Sequence, residues 1–349
     1  MRHSLFAYAA LGLGMSFHVQ ATPSVAVDIA PLHSLVSQVM EGVGEPDLLI
    51  PAESSPHEYT LRPSQAKALS NADVVFWMGE GLTPWLEKAL DNVAGSAEKV
   101  EMLALEQTHT HEYREGATFE AHSDHGDEHH DDDHHDKHDD EHHDDEKHHE
   151  AHKDHDDHED HDDHDAHKDE GGHHGHDHQG NDPHAWLDPE NAKAWVAVIQ
   201  EKLSAADPDN ASTYKRNAAE ATASLNALIA DTHTKLGKLG DVKFIVFHDA
   251  YQYFEKRFNV IAAGAISLGD AEDPSPKRIK EIRETVKALN VNCVFTEPQY
   301  NPGLVKNVFE GTSITTIGVM DPLGAAIPVG SAQYNTLINA MVNSISQCK

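Results

Sequence analysis

Short apolar runs alternate along this chain with stretches in which apolar residues recur every three or four positions, which predicts strands and helices in turn. A run at 25–29 predicts a first strand, and Leu32, Leu35, Val36 and Val39 follow at helical spacing. Residues 47–51 read as a second strand, "ESSPHEY" as a loop, and "RPSQAKALSNA" as a helix with Ala66 and Leu69 on its apolar side. The run "DVVFWMG" at 73–79 is a strand stopped by glycine. This first set of elements extends to about residue 106.

The pattern resumes at "NDPHAWLDPENAKAWVAVIQEKL", a loop and then a helix that starts at Asp188-Pro189, with proline in the first helical position. Asp207-Pro208 repeats that start signal. Tyr214, Ala218, Ala221, Leu225, Leu228, Thr232 and Leu236 then share one helical face before Gly237 and Gly240 end it. A helix of about 28 residues is about 42 Å long. Beyond it the first plan recurs: "VKFIVF", "NVIAAGAI", "VNCVF" and "SITTIGVM" read as strands, "DAYQYFEKRF" and "SPKRIKEIRETVKALN" as helices. The strands are apolar nearly throughout, as in sheets covered on both faces. The expected fold is α/β: two lobes, each a mainly parallel sheet flanked by helices, joined by one long rigid helix, with a cleft between them.

Composition changes the picture in one interval. Residues 109–180 hold 28 Asp/Glu against 5 Lys/Arg, a balance of −23, and 23 of the 30 histidines. The remainder of the chain carries −11, and no basic stripe suited to nucleic acid appears. Having almost no large apolar residues, the interval is expected to be a disordered insertion in the first lobe. Within it His152, His155, His158, His161, His164 and His167 recur every third residue with acidic neighbours. Many equivalent groups of three or four can chelate Zn²⁺ there, each weakly, because a floppy chain must be ordered to do so.

The N-terminus reads as an export signal: Arg2, an apolar stretch at 5–17, and Val19-Gln20-Ala21 at a cleavage point. The expected organisation is a signal at 1–21, a first lobe at 22–206 interrupted by 109–180, a linking helix at 207–237 and a second lobe at 238–349. Export places the chain in an oxidising compartment, where Cys293 and Cys348 allow a single disulfide.

Three histidines outside the tract fall at element ends or in loops: His57 after the second strand, His184 after the insertion, and His248 at the end of "FIVFH". Asp321 follows the last strand. If both sheets face one cleft, all four reach the same side, and three neutral imidazoles with Asp321 or a water make a tetrahedral shell suited to Zn²⁺.

The segments "SPHEYTLRPS", "DPHAWLDPENA", "FHDAYQYFEKRF", "FTEPQYNPGLV" and "MDPLG" resemble the signature segments of the metal-binding receptors of bacterial ABC importers, the periplasmic zinc-uptake type in particular. The resemblance covers about 24–106 and 181–349. It implies two α/β lobes joined by a long helix, with His57, His184 and His248 as zinc ligands. It also implies an inner-membrane permease with its ATPase as partners, and the disulfide between Cys293 and Cys348. Manganese-binding relatives place a carboxylate where His248 stands, so three imidazoles favour zinc. Some zinc members carry glutamate where this chain has Pro56, which leaves the fourth position to Asp321 or water. Glu297 is expected near the cleft as an acceptor that orients an imidazole N–H.

The resulting expectation is a monomeric, non-enzymatic periplasmic receptor with one tight zinc site and several weaker ones in the tract. Manganese or nickel import is the alternative within that class. Two other classes stand apart from it. A secreted zinc hydrolase would use the same three histidines, but no general base in an H-E-x-x-H pattern accompanies them and only Glu297 is a candidate. A metal buffer or adhesin would use the tract alone.

Overall fold

The computed structural model describes residues 22–114, 116, 118–119, 180–267, 274–300 and 302–348. The expected export signal and nearly all of the histidine-rich tract lie outside them. Two four-stranded sheets, parallel throughout, form the frame.

In the first sheet the order is β2 (Asp47–Leu48), β1 (Val25–Val27), β3 (Val74–Trp77), β4 (Glu98–Glu101). The second runs β6 (Gly264–Ser267), β5 (Phe244–His248), β7 (Cys293–Thr296), β8 (Thr316–Val319). The same crossover recurs in both lobes, as the repeated apolar pattern requires. The central strands β1, β3, β5 and β7 are wholly buried. Of the edge strands β6 is wholly buried as well, but β4 and β8 are not. β4 reads Glu-Lys-Val-Glu, with Val100 its one fully buried residue, so no apolar run announces it. In β8 Ile317 and Val319 are 53% and 54% exposed, which corrects the expectation of strands covered on both faces. The second strand is shorter than 47–51, although Leu49 and Ile50 continue its hydrogen bonds to Val27 and Asp28.

Among the described residues the helices are, in chain order, α1 (Ala30–Met40), α2 (Pro63–Asn71), α3 (Pro84–Val93), α4 (Pro189–Ala206), α5 (Ala211–Leu236), α6 (Gln252–Phe258), α7 (Pro276–Ala288), α8 (Pro302–Phe309) and α9 (Gln333–Ile345). The long helix α5 buries all seven residues of the expected face, and Gly237 caps it. It starts at Ala211 rather than 207, because Pro208–Asn210 forms a separate 3₁₀ turn. At 26 residues it is about 39 Å long. It packs against α1 (Ala30–Met40) and α4 (Pro189–Ala206) of the first lobe and against α9 (Gln333–Ile345) at the C-terminus. α9 also packs on α1, and Ser34 Oγ both donates to Ser331 O and accepts from Tyr334 N. One buried cluster therefore runs from β1 through α5 to β5 and α9, so the lobes are joined by more than a single helix.

The start of the low-complexity interval also departs from expectation. His109 N donates to Asn191 Oδ1, Glu112 bridges Asn181, and Thr118 bridges Gly264 on edge strand β6. These residues belong to the body, held by partners that composition does not reveal.

Cys293 at the start of β7 bonds Cys348 beyond α9, with Cα atoms 5.6 Å apart. The bond closes a loop with a sequence separation of 55. In the chain-entropy model such a loop contributes about 4 kcal/mol. Cys348→Ala is expected to lower the melting temperature by on the order of 10 °C, read by calorimetry against the oxidised protein.

Candidate metal centre

In both lobes the parallel sheets end at one edge, where loops gather functional side chains. His248 is the last residue of β5, and Glu297 follows β7, the neighbouring strand. The adjacency of strand ends puts Glu297 Oε1 2.8 Å from His248 Nδ1. His184 precedes a 3₁₀ turn, Ala185–Leu187. Asp182 Oδ1 accepts from His184 N at 3.0 Å and lies 2.7 Å from His184 Nδ1. Asp182 and Glu297 are 1% and 2% exposed, so both pairings are shielded from water.

These two carboxylates fix the chemistry of the rings. A carboxylate accepts, so each Nδ1 carries the proton and each Nε2 presents a lone pair. The two Nε2 atoms face one another at 3.4 Å. Nitrogens bound to one tetrahedral Zn²⁺ at about 2.0–2.1 Å sit about 3.3 Å apart. Two converging lone pairs at that spacing repel unless a cation or proton lies between them. The arrangement has the donor set and the spacing for a zinc ion.

His57 completes the group from the loop after β2. Its ring centroid is 5.7 Å from that of His184, and the His184 and His248 centroids are 5.3 Å apart. Rings sharing one tetrahedral ion have centroids roughly 5 Å apart. The third ring thus stands slightly outside that spacing, with its Nε2 closed off from solvent. Among the described residues no group of three or more His, Cys, Asp or Glu is already spaced as a metal cage.

Asp321 is held differently. Its Oδ1 accepts from Leu323 N and from Gln299 Nε2, both at 3.0 Å, and its Oδ2 accepts from Ala325 N at 2.6 Å. The small cavity at the histidine pair is lined by His184, His248, Glu297 and Gln299, with Ser55 and Pro56 on the first-lobe side. Asp321 and His57 are both outside that lining. A roomier groove carrying Lys280, Arg283 and Lys287 contains none of the histidines.

Aromatic residues close the site. Trp186 packs 5.2 Å from His184 and donates Nε1–H to Pro322 O, while Tyr300 stacks on Phe247 and meets His248 edge-on. Tyr251 donates to Met320 O; burial, then the negative charges of Glu297 and Asp321, hold its hydroxyl protonated well above the ordinary range.

Sequence reasoning passed over the supports on the other side. Gln252 Nε2 donates to Asp182 Oδ2 and to Glu112 O, and Tyr253 OH donates to Asp182 O. Arg114 pairs with Asp249, the residue after His248, and with Glu255. Burial opposes the charge on Arg114, but Glu255 and Asp249 outweigh it and raise its pKa. Burial likewise raises the Asp249 carboxyl, with Arg114 pulling the other way. Asp182 had a local signal: an acid two residues before a histidine, in "DPH", reaches its Nδ1.

Residues 25–348 match the family model described as the periplasmic zinc-uptake complex component A, ZnuA. The high-affinity zinc uptake system protein ZnuA of Brucella abortus (strain 2308) is 42% identical over 348 residues, 99% of this chain and 98% of the relative. Its namesake in Paracoccus denitrificans (strain Pd 1222) is 41% identical, with 99% and 97% covered. Among solved structures, a crystal structure of ZnuA has a TM-score of 0.66 at 21% identity, covering 93% of this chain and 98% of that one. A laminin-binding adhesin of Streptococcus agalactiae has a TM-score of 0.67 at 19% identity, covering 94% and 100%. Those likenesses support the two-lobe α/β fold.

Proposed function

We propose, since this chain belongs to the ZnuA family of periplasmic zinc-uptake components, that it captures Zn²⁺ with His57, His184 and His248 and hands it to an inner-membrane ABC permease. The observation that carries the reading is the facing Nε2 pair at 3.4 Å, each ring fixed by a buried carboxylate. Asp321's oxygens already accept three hydrogen bonds, from its own loop and from Gln299, which favours a water in the fourth place. Glu297 is a positioning residue, not a catalytic base, since its carboxylate is committed to His248.

Capture and release follow from where the ligands sit. His57 and His184 belong to the first lobe and His248 to the second, so a small rigid displacement separates imidazoles that no single loop can follow. A permease that draws the lobes apart lowers affinity without chemistry. Protons compete at the same lone pairs, so affinity falls on acidification. Export by cleavage after Ala21 puts the protein in the periplasm. Among the described residues no helix is long and apolar enough to cross a membrane. The histidine-rich tract gathers or senses further zinc through weaker, redundant sites.

Deleting residues 122–178 tests the division of labour. Calorimetry is expected to give one tight zinc site in the shortened protein and additional weaker ones in the full chain. Equal stoichiometry in both would remove the tract's role. Competition by Mn²⁺ and Ni²⁺ under buffered metal decides against the alternative receptors.

A further inference from the structure

Gln299 lies two residues beyond Glu297 and lines the cavity at the histidine pair. Its amide nitrogen is fully engaged. Nε2 donates to Ala52 O at 3.2 Å, in the loop that leads to His57, and to Asp321 Oδ1 at 3.0 Å. Both partners are pure acceptors, so the amide cannot be reversed without setting oxygen against oxygen. That fixes Oε1 on the other side. Oε1 is sealed from bulk solvent, and among the described residues no donor lies within hydrogen-bond distance of it. A buried acceptor left unmatched is destabilising, because it has lost water and gained no donor. The oxygen therefore marks where a donor belongs.

Two hydroxyls line this cavity, on Ser55 and Tyr300, and neither is within hydrogen-bond distance of Oε1. His184 and His248 give their N–H groups to carboxylates and offer only lone pairs inward. A metal-bound water differs, because coordination polarises its two O–H bonds. We propose that Gln299 Oε1 accepts a hydrogen bond from the water that completes the metal's shell, which makes Gln299 the residue that positions the fourth ligand. This deepens the receptor reading and rests on it. The same amide then ties the His57 loop, the Asp321 loop and the bound water together, and draws Asp321 away from the metal.

The test uses the full chain with one equivalent of Co²⁺, which fills the tight site first and whose visible spectrum reports ionisation of the bound water. A neutral acceptor stabilises water, with two protons to offer, over hydroxide. Gln299→Met, which removes the acceptor, is expected to lower the apparent pKa of the spectral transition by about half a unit to one unit. Gln299→Glu adds a negative charge that raises that pKa by itself, so Gln299→Met decides: if Gln299 served only to link the loops, the Met variant would weaken metal binding and leave the pKa unmoved, and that result overturns the proposal. Absence of a tight site for Zn²⁺ and Co²⁺ in the wild type would instead overturn the receptor reading on which it stands.

Discussion

His184→Ala is expected to raise the dissociation constant for Zn²⁺ by well over about 100-fold in protein lacking residues 122–178, measured by competition with a chromophoric chelator. Loss of a supporting partner typically costs 10–100-fold in metal affinity, and loss of a ligand costs more. The same should hold for His57→Ala and His248→Ala. Asp182→Asn and Glu297→Gln should fall within the lower range, because each leaves the imidazole in place but loosens its tautomer and direction. Asp321→Asn should lie near wild type, since its oxygens serve the turn after β8. An Asp321 variant as damaged as the histidine variants would put the carboxylate in the metal's shell instead of water. Truncating His184 or His248 also strips a buried carboxylate of its N–H donor, so the apo proteins must be shown to melt as folded species.

The second large effect is on stability. Arg114→Ala is expected to destabilise the protein by about 3–5 kcal/mol, because Asp249 and Glu255 would be left buried without their cation. For a chain of this size that is a fall on the order of 10 °C in melting temperature. Arg114→Lys should not restore it: the guanidinium serves both carboxylates at once and lies 3.6 Å from the Phe119 ring centre, which an ammonium cannot reproduce. Zinc affinity should drop as well, because Asp249 follows His248 and the strap carrying Arg114 also meets Gln252, a partner of Asp182. A variant that melts with the wild type would mean that water compensates both carboxylates.

How much of this was legible depends on whether a residue's partner was near in sequence or implied by pattern. The central strands and the apolar face of α5 could be read because burial on a sheet or helix forces a period. β4 could not, since Glu-Lys-Val-Glu carries no apolar run; β8 was legible as a strand in "SITTIGVM", but not that Ile317 and Val319 on one of its faces stay exposed. The three histidines were legible as residues at element ends, and Glu297 through the motif that contains it. Arg114 was not: it lies in a segment whose composition reads as disordered, and its partners are 135 and 141 residues away. Gln299 carried no sequence signal of its own. Its significance comes from which two acceptors hold its nitrogen, a fact of three dimensions.

The most direct measurement of the central claim is X-ray absorption at the zinc edge, on protein lacking residues 122–178 and loaded with one equivalent of Zn²⁺. Three imidazoles and one light-atom oxygen donor at about 2.0–2.1 Å are expected, with the multiple scattering of imidazole rings reduced by one ring in each single histidine variant. A spectrum with fewer than three rings, or one unchanged in the His57, His184 and His248 variants, would contradict it.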